Sequence, residues 1–201
     1  MRRLLACILL LCALTGAAAA DDFGQSYDRF QSLYAENVTF INNNTGRHLL
    51  PLAFSGQFDA MGERIYVLSS GALHVQIKLD DLASQIASCR ITLTAPAGMQ
   101  YGDSQHNDFT ISGYHSYALL MAMHDSQDPV ARYALVEEVN AGLASGSGQY
   151  STQVGDYRLT CQSADGVAAM LFENDLLLGK PIEEPAGEGD EEGVPSIEIK
   201  E

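Results

Sequence analysis

The chain of 201 residues is strongly acidic, with 26 Asp and Glu against 11 Lys and Arg and a formal net charge of -15. With 46% hydrophobic and 18% charged residues, it has the composition of a globular protein, not that of a disordered polymer or a polytopic membrane protein. A nucleic-acid-binding protein needs basic side chains to neutralise phosphates. This charge therefore argues against nucleic acid as a partner.

The first twenty residues carry the pattern of a secretory signal peptide, which consists of Arg2, Arg3, the apolar run Leu4 to Leu14, Ala18 and Ala20. Cleavage at this Ala-x-Ala pattern would leave Asp21 as the first mature residue. An uncleaved membrane anchor is the alternative, but the apolar stretch is at the lower length limit for crossing a bilayer. We therefore expect a secreted or periplasmic protein without an integral membrane segment once residues 1–20 are removed.

Two of the four cysteines, Cys89 and Cys161, lie outside the predicted signal peptide. Secretion would place them in an oxidising compartment, where two thiols most simply pair with each other. Apolar and polar residues alternate around each cysteine, so each sulfur is expected to point inward from a strand. The sequence thus predicts one disulfide, Cys89–Cys161. A redox or catalytic thiol is the alternative, but no Cys-x-x-Cys pair or electropositive setting supports it.

The C-terminus changes character at Pro181. Residues 181–201 hold eight acids and one Lys, which gives a net formal charge of -7, together with three Pro and three Gly. Such a segment buries too little apolar surface to offset its chain entropy, so we expect a disordered acidic tail. Residues 21–180 remain as a single domain, a size that allows a substantial core.

Hydrophobic periodicity predicts the elements of this domain. Helices are expected over 26–36, capped by Ser26, and after Asp128, where Pro129 occupies the first helical position. Strands are expected at His48 to Phe54 (an edge strand, because it contains Pro51), Arg64 to Ser69, Leu73 to Leu79, Cys89 to Ala95, Phe109 to Ile111, Tyr117 to Met123, Tyr157 to Cys161 and Val167 to Phe172.

Three connections complete the pattern. Leu82 to Ser88 is expected to form a short helical turn, residues 99–108 a polar loop, and Asp165-Gly166 the turn of a hairpin. Because the strands are grouped in runs instead of alternating with helices, the sequence predicts an α+β fold. It would be a strand-dominated antiparallel sheet or sandwich, with one helix near the mature N-terminus, one after Asp128, and one disulfide.

Two groups of residues are candidate metal ligands. Asp103, His106 and Asp108 share one polar segment, which offers oxygen and imidazole ligands for a hard cation such as Ca²⁺, although the spacing is not that of an EF-hand. Met121, Met123 and His124 offer soft ligands suited to Cu(I). The simpler interpretation is a turn for the first group and a core face for the second, because methionine more commonly fills cores.

Catalytic motifs are weak throughout. Ser147 lies in Gly-Ser-Gly after a helix and not in a nucleophile elbow, and no residue pattern requires a cofactor. Aromatic residues expected in loops, Tyr101, Tyr114, Tyr150 and Phe58, suit either a recognition surface or the covering of sheet edges. We therefore expect a non-enzymatic protein that binds an envelope protein or a cell-wall component. A metal-handling protein (Cu or Ca) and a cell-wall hydrolase that uses two carboxylates are the alternatives.

Overall fold

A computed structural model gives the structure of the protein and describes residues 24–58, 61–80, 84–145 and 147–179. The predicted signal peptide (1–20) and acidic tail (181–201) lie outside the described residues. Within the described ranges the chain forms three helices: α1 (Tyr27–Thr45), α2 (Ser104–Ala122) and α3 (Pro129–Ala144). Its seven strands are β1 (Ser55–Phe58), β2 (Arg64–Ser70), β3 (Leu73–Leu79), β4 (Ile86–Thr94), β5 (Gln149–Val154), β6 (Tyr157–Ala164) and β7 (Val167–Glu173).

The strands form one antiparallel sheet with the order β1-β2-β3-β4-β7-β6-β5. The predicted α+β, strand-rich antiparallel fold is therefore confirmed, and it is a sheet and not a sandwich. The predicted hairpin is also confirmed: β6 and β7 are joined by Asp165 and Gly166, whose positive φ angles of 52° and 77° suit a tight turn. The segment from His48 to Phe54 is not a strand, and the first edge strand, β1, begins at Ser55.

Helix α1 is longer than predicted. The Ser26 side chain caps it by accepting a hydrogen bond from the Arg29 N–H over 3.2 Å. Buried residues continue beyond the expected end at residue 36, through Asn37, Val38 and Ile41. The helix ends at Gly46, where a left-handed φ of 67° lets the glycine N–H bond to the Asn42 carbonyl at 2.9 Å.

The region from residue 99 to 123 is the largest correction. The predicted strand Phe109 to Ile111 lies within α2, the predicted strand Tyr117 to Met123 covers the end of α2 and its C-cap, and the end of the loop predicted at 99–108 is also helical. The five consecutive residues Ala118 to Ala122 are all buried. Helix α2 packs against α1, α3 and the sheet, so it is apolar on every side near its end and lacks the period of a half-exposed helix.

A smaller correction concerns β4. Ile86 to Ser88 were predicted within a helical turn, yet they form the start of this strand, and the backbone of Ile86 pairs with Leu79 of β3. The Asp80 side chain closes the connection by accepting hydrogen bonds from the N–H groups of Ser84 and Gln85 at 2.9 and 3.1 Å. These two hydrogen bonds lead the chain into β4, so Ile86 to Ser88 form strand and not helix.

All three helices lie on one side of the sheet. Alternate strand residues face them and form the core with the helices, for example Val75, Ile77, Ile91, Leu159 and Phe172, all with no exposed surface. The opposite side has no helix over it in the described part of the chain. We call it the bare face, and its residues include Val67, Gln76, Lys78, Arg90, Thr92, Arg158, Thr160, Ala169, Leu171 and Glu173.

The predicted Cys89–Cys161 disulfide is not present: both are free, buried thiols. Both point into the core, as expected, but Cys89 lies on β4, Cys161 lies on β6, and β7 runs between them. Two strand spacings alone amount to about 10 Å between the α-carbons, and a two-residue offset along β7 adds to this, whereas a disulfide needs roughly 4.4 to 6.8 Å. Burial raises the pKa of each thiol to about 12, so neither is nucleophilic at neutral pH.

Candidate functional site

The first candidate metal group is part of a helix start. The Asp103 carboxylate accepts hydrogen bonds from the N–H groups of Gln100 (3.0 Å) and His106 (2.5 Å), which makes it the N-cap of α2. These two bonds lower the pKa of Asp103. The His106 ring stacks edge-on against Tyr101 at 4.8 Å, and Asp108 lies further along the helix. The Asp103 carboxylate is therefore used as an acceptor for backbone N–H groups.

The second candidate metal group is divided between core and surface. Met121 and Met123 are buried, with 0% and 2% exposure. His124 follows α2, and its Nδ1 accepts a hydrogen bond from the Ser126 N–H at 3.1 Å. These residues form no accessible ligand set. Across the described ranges, no three His, Cys, Asp or Glu side chains are grouped closely enough to hold a metal ion.

Two carboxylates line one cavity of about 390 Å³ at the end of β3, as a hydrolase would require, but both have structural partners. Glu63 pairs with Lys78 at 2.6 Å. Asp80 accepts the two backbone hydrogen bonds of the β3–β4 connection. This arrangement uses both acids to hold the chain and does not pose them as a proton donor and a nucleophile.

A different feature stands out in the helical layer. We name it the aromatic cleft, a cavity of about 270 Å³ lined by Phe40, Ile41, Asn44, Thr45, Tyr114, Tyr117 and Tyr133. It lies where all three helices meet. The rings of Phe40 (α1) and Tyr133 (α3) are 6.1 Å apart between centroids and tilted by 49°. Tyr133 is 36% exposed, and Phe40 and the two α2 tyrosines are half-buried against the core.

Polar groups of the aromatic cleft are few and neutral. They comprise the Asn44 amide and the hydroxyls of Thr45 and the three tyrosines. Asn140 of α3 donates a hydrogen bond of 3.5 Å to the Tyr117 hydroxyl, which restrains the position of this oxygen. A concave, mostly apolar surface with a few orienting polar groups is the usual form of a ligand site.

A buried arginine joins the three helices whose residues line the aromatic cleft. Arg132, only 1% exposed, donates from Nε to Asn37 Oδ1 at 2.8 Å and from one terminal nitrogen to the Ser126 carbonyl at 2.9 Å. Its other terminal nitrogen pairs with Glu36 at 3.3 Å. Asn37 in turn donates to the Ala118 carbonyl of α2 at 3.1 Å. The network joins α1, α2 and α3 next to the cleft residues and preorganises the cleft.

A second buried polar group, His115, lies on the neighbouring turn of α2. Its Nδ1 is 2.9 Å from the Tyr34 hydroxyl, which also accepts the Leu52 N–H at 3.2 Å. The hydroxyl therefore has its proton free to donate to the imidazole, which favours the neutral ring. Burial lowers the pKa of His115 in the same direction.

The bare face is a contrasting surface. It contains shallow depressions of about 230 and 220 Å³, around Thr160 and around Lys78. Its charges are largely paired: Lys78 with Glu63, and Arg158 with Glu173 at 3.3 Å and with Asp175 at 3.1 Å. A polar, paired surface of this kind is stable in water without a partner.

Sequence reasoning located only one residue of the aromatic cleft, Tyr114. Of the other aromatics it singled out, Tyr101 is 93% exposed, Phe58 is 69% exposed on β1, and Tyr150 of β5 bonds through its hydroxyl to Glu138. Phe40 falls beyond the predicted end of the first helix. Continuing the apolar stripe of α1 past residue 36 is the signal that would have included it.

Comparison with protein-family models, with curated proteins and with solved structures found no match to this chain. No described helix has both the length and the apolar composition to cross a membrane. Functional inference therefore depends on the geometry of the chain itself.

Proposed function

We propose that this protein is secreted to the periplasm, acts there as a non-enzymatic binding protein associated with the cell envelope, and holds its ligand in the aromatic cleft. One observation carries the proposal: four aromatic side chains line an open cavity between three helices that a buried arginine, Arg132, joins by hydrogen bonds. Half-exposed rings leave apolar surface that a ligand can bury, and the network removes much of the ordering cost of binding.

The chemistry of the lining supports binding over catalysis. Hydroxyl and amide groups line the aromatic cleft, and the carboxylates Glu63 and Asp80 lie at the end of β3, in a different cavity. A catalytic site would place a nucleophile, or an acid and a base, within reach of one another. The acidic chain and the signal pattern support an envelope location, with an envelope protein or a cell-wall component as the partner.

Phenol provides a test of the site. Titrated into isotopically labelled protein, it should shift the amide resonances of residues around Phe40, Tyr114 and Tyr133 in a heteronuclear correlation spectrum. The Tyr133→Ala variant should weaken phenol binding roughly threefold to tenfold, because one aromatic contact is lost. Tyr101→Ala, in an exposed loop, is the matched control. Phenol shifts confined to other surfaces would refute the assignment.

Location is tested independently. The mass of the protein isolated from the envelope fraction of its host should correspond to a chain that begins at Asp21. A chain that retains residues 1–20, or a protein found only in the cytosol, would contradict secretion and leave the binding site unaffected.

A further inference from the structure

The rings of the aromatic cleft define which ligand group suits it. The face of an aromatic ring carries partial negative charge, and several faces around one cavity attract a cation that sheds its water easily. Phe40, Tyr114, Tyr117 and Tyr133 contribute four rings to the lining of the cavity. The cavity, of about 270 Å³, is large enough to take a trimethylammonium group.

The chain itself already places a cation against one of these rings. The guanidinium carbon of Arg47 lies 5.6 Å from the centroid of the Tyr114 ring. This distance is within the range of cation–π attraction. Arg47 is exposed and follows the C-terminus of α1, so its side chain can leave the ring without disturbing the core.

Charges near the aromatic cleft also favour a cation. Glu137 lies one turn after Tyr133 on α3, so it shares a helix face with a ring of the cleft, whereas Glu36, one turn before Phe40 on α1, is already paired with Arg132. The whole chain has a net charge of -15. Glu137 and this net negative charge oppose a phosphate group, which disfavours the head group of a phospholipid.

We infer that the aromatic cleft binds the quaternary ammonium group of a small soluble compound of the choline type. This inference depends on the proposed function only in taking the cleft as the ligand site. Arg47 acts as a competing cation at the rim, which the ligand displaces from Tyr114.

The decisive comparison is between choline and 3,3-dimethylbutan-1-ol, which has the same shape with a neutral carbon in place of nitrogen. Choline should bind at least about tenfold more tightly, with resonance shifts around Phe40 and Tyr133. Equal binding of both compounds at the cleft would overturn the ammonium inference and leave the proposed function standing. If phenol shifts the resonances of the cleft but choline and the neutral alcohol do not, the ammonium inference is likewise overturned and the proposed function still stands.

Variants separate a cation site from a generally apolar one. Tyr133→Phe keeps the ring and should change choline affinity by less than about threefold, whereas Tyr133→Leu should reduce it by roughly tenfold. Tyr101→Leu is the control, and the amide spectrum of each variant verifies folding. If Tyr133→Phe and Tyr133→Leu bind choline equally, the rings do not recognise the charge.

Arg47→Gln gives a prediction of opposite sign. Removing the competing cation should tighten choline binding by roughly threefold and leave the neutral isostere unchanged. Weaker choline binding by this variant would contradict the role given to Arg47.

The protein should not sediment with phosphatidylcholine vesicles, which present the same ammonium group beside a phosphate. Binding to vesicles would overturn the commitment to a small soluble ligand.

Discussion

The aromatic cleft and the bare face are both open to solvent, but they differ in how their side chains are satisfied. On the bare face, the charges of Lys78 and Arg158 have acidic partners within 3.3 Å, and polar residues alternate along each strand. In the aromatic cleft, ring surface stays half-exposed, while Arg132, which joins the surrounding helices, is buried. The bare face needs only water, whereas the cleft gains free energy when a ligand covers its rings.

This contrast predicts very different costs for removing an arginine on each side of the sheet. Arg132→Met should lower the free energy of unfolding by about 3 to 5 kcal/mol, because Asn37 and the Ser126 carbonyl lose a buried partner. Arg158→Met, on the bare face, should cost at most about 1 kcal/mol despite its two ion pairs. Urea denaturation measures both. Similar losses for the two variants would break the comparison.

The pH dependence of the free energy of unfolding extends the comparison to a buried histidine, His115, and an exposed one, His74. In the unfolded chain the pKa of His115 is near 6.5, and burial lowers it in the folded protein. As the pH falls below 6.5, the unfolded state therefore takes up a proton that the folded state resists, and the free energy of unfolding falls by up to about 1.4 kcal/mol per pH unit. The loss ends once the pH passes below the folded pKa.

The His115→Gln variant removes this group and should show a flatter profile than the wild type between about pH 6.5 and pH 5. His74→Gln is the matched control, because His74 lies on the bare face and is exposed. Identical slopes for wild type and His115→Gln would show that the His115–Tyr34 contact does not depend on protonation.

Thiol reactivity compares the two faces of a single strand. Cys161 points into the core, and Thr160 points to the bare face beside it. In protein that begins at Asp21, Ellman's reagent should find no reactive thiol in the native state and two after denaturation, from Cys89 and Cys161. A Thr160→Cys variant should add one thiol that reacts in the native state.

Reducing agent should leave the thermal midpoint of the native protein unchanged, because no disulfide constrains the unfolded chain. A lowered midpoint, or no free thiol after denaturation without reductant, would restore the disulfide. That result would also contradict the strand order in which β7 separates Cys89 from Cys161.

Local patterns predicted the elements that are buried on one side only. Leu73 to Leu79 alternates without interruption and forms β3 with those bounds, and Asp128-Pro129 starts α3 as its capping chemistry requires. Helix α2 escaped detection because burial on all sides erases the helical period around Ala118 to Ala122. A continuous apolar run of this kind is compatible with either a strand or a helix.

The sequence did not show which residues from distant parts of the chain lie together in the fold. Both cysteines were correctly expected to face the core, but the sequence contains no information on which strand lies between them. The aromatic cleft is similarly hidden, because Phe40, Tyr117 and Tyr133 come from three helices and have no spacing in common. The Asp103 segment is ambiguous in the sequence for a different reason, since an N-cap and a cation-binding loop use the same residue types.

Intermolecular nuclear Overhauser effects between choline and the folded protein test the central claim most directly, because they report which side chains the ligand touches. We predict contacts from the N-methyl protons of choline to the ring protons of Phe40 and Tyr133, with none to Leu171 or Thr160 of the bare face. Phenol, measured in the same way, should contact the same two rings. Contacts of both compounds with the bare face instead would contradict the assignment of the aromatic cleft as the binding site.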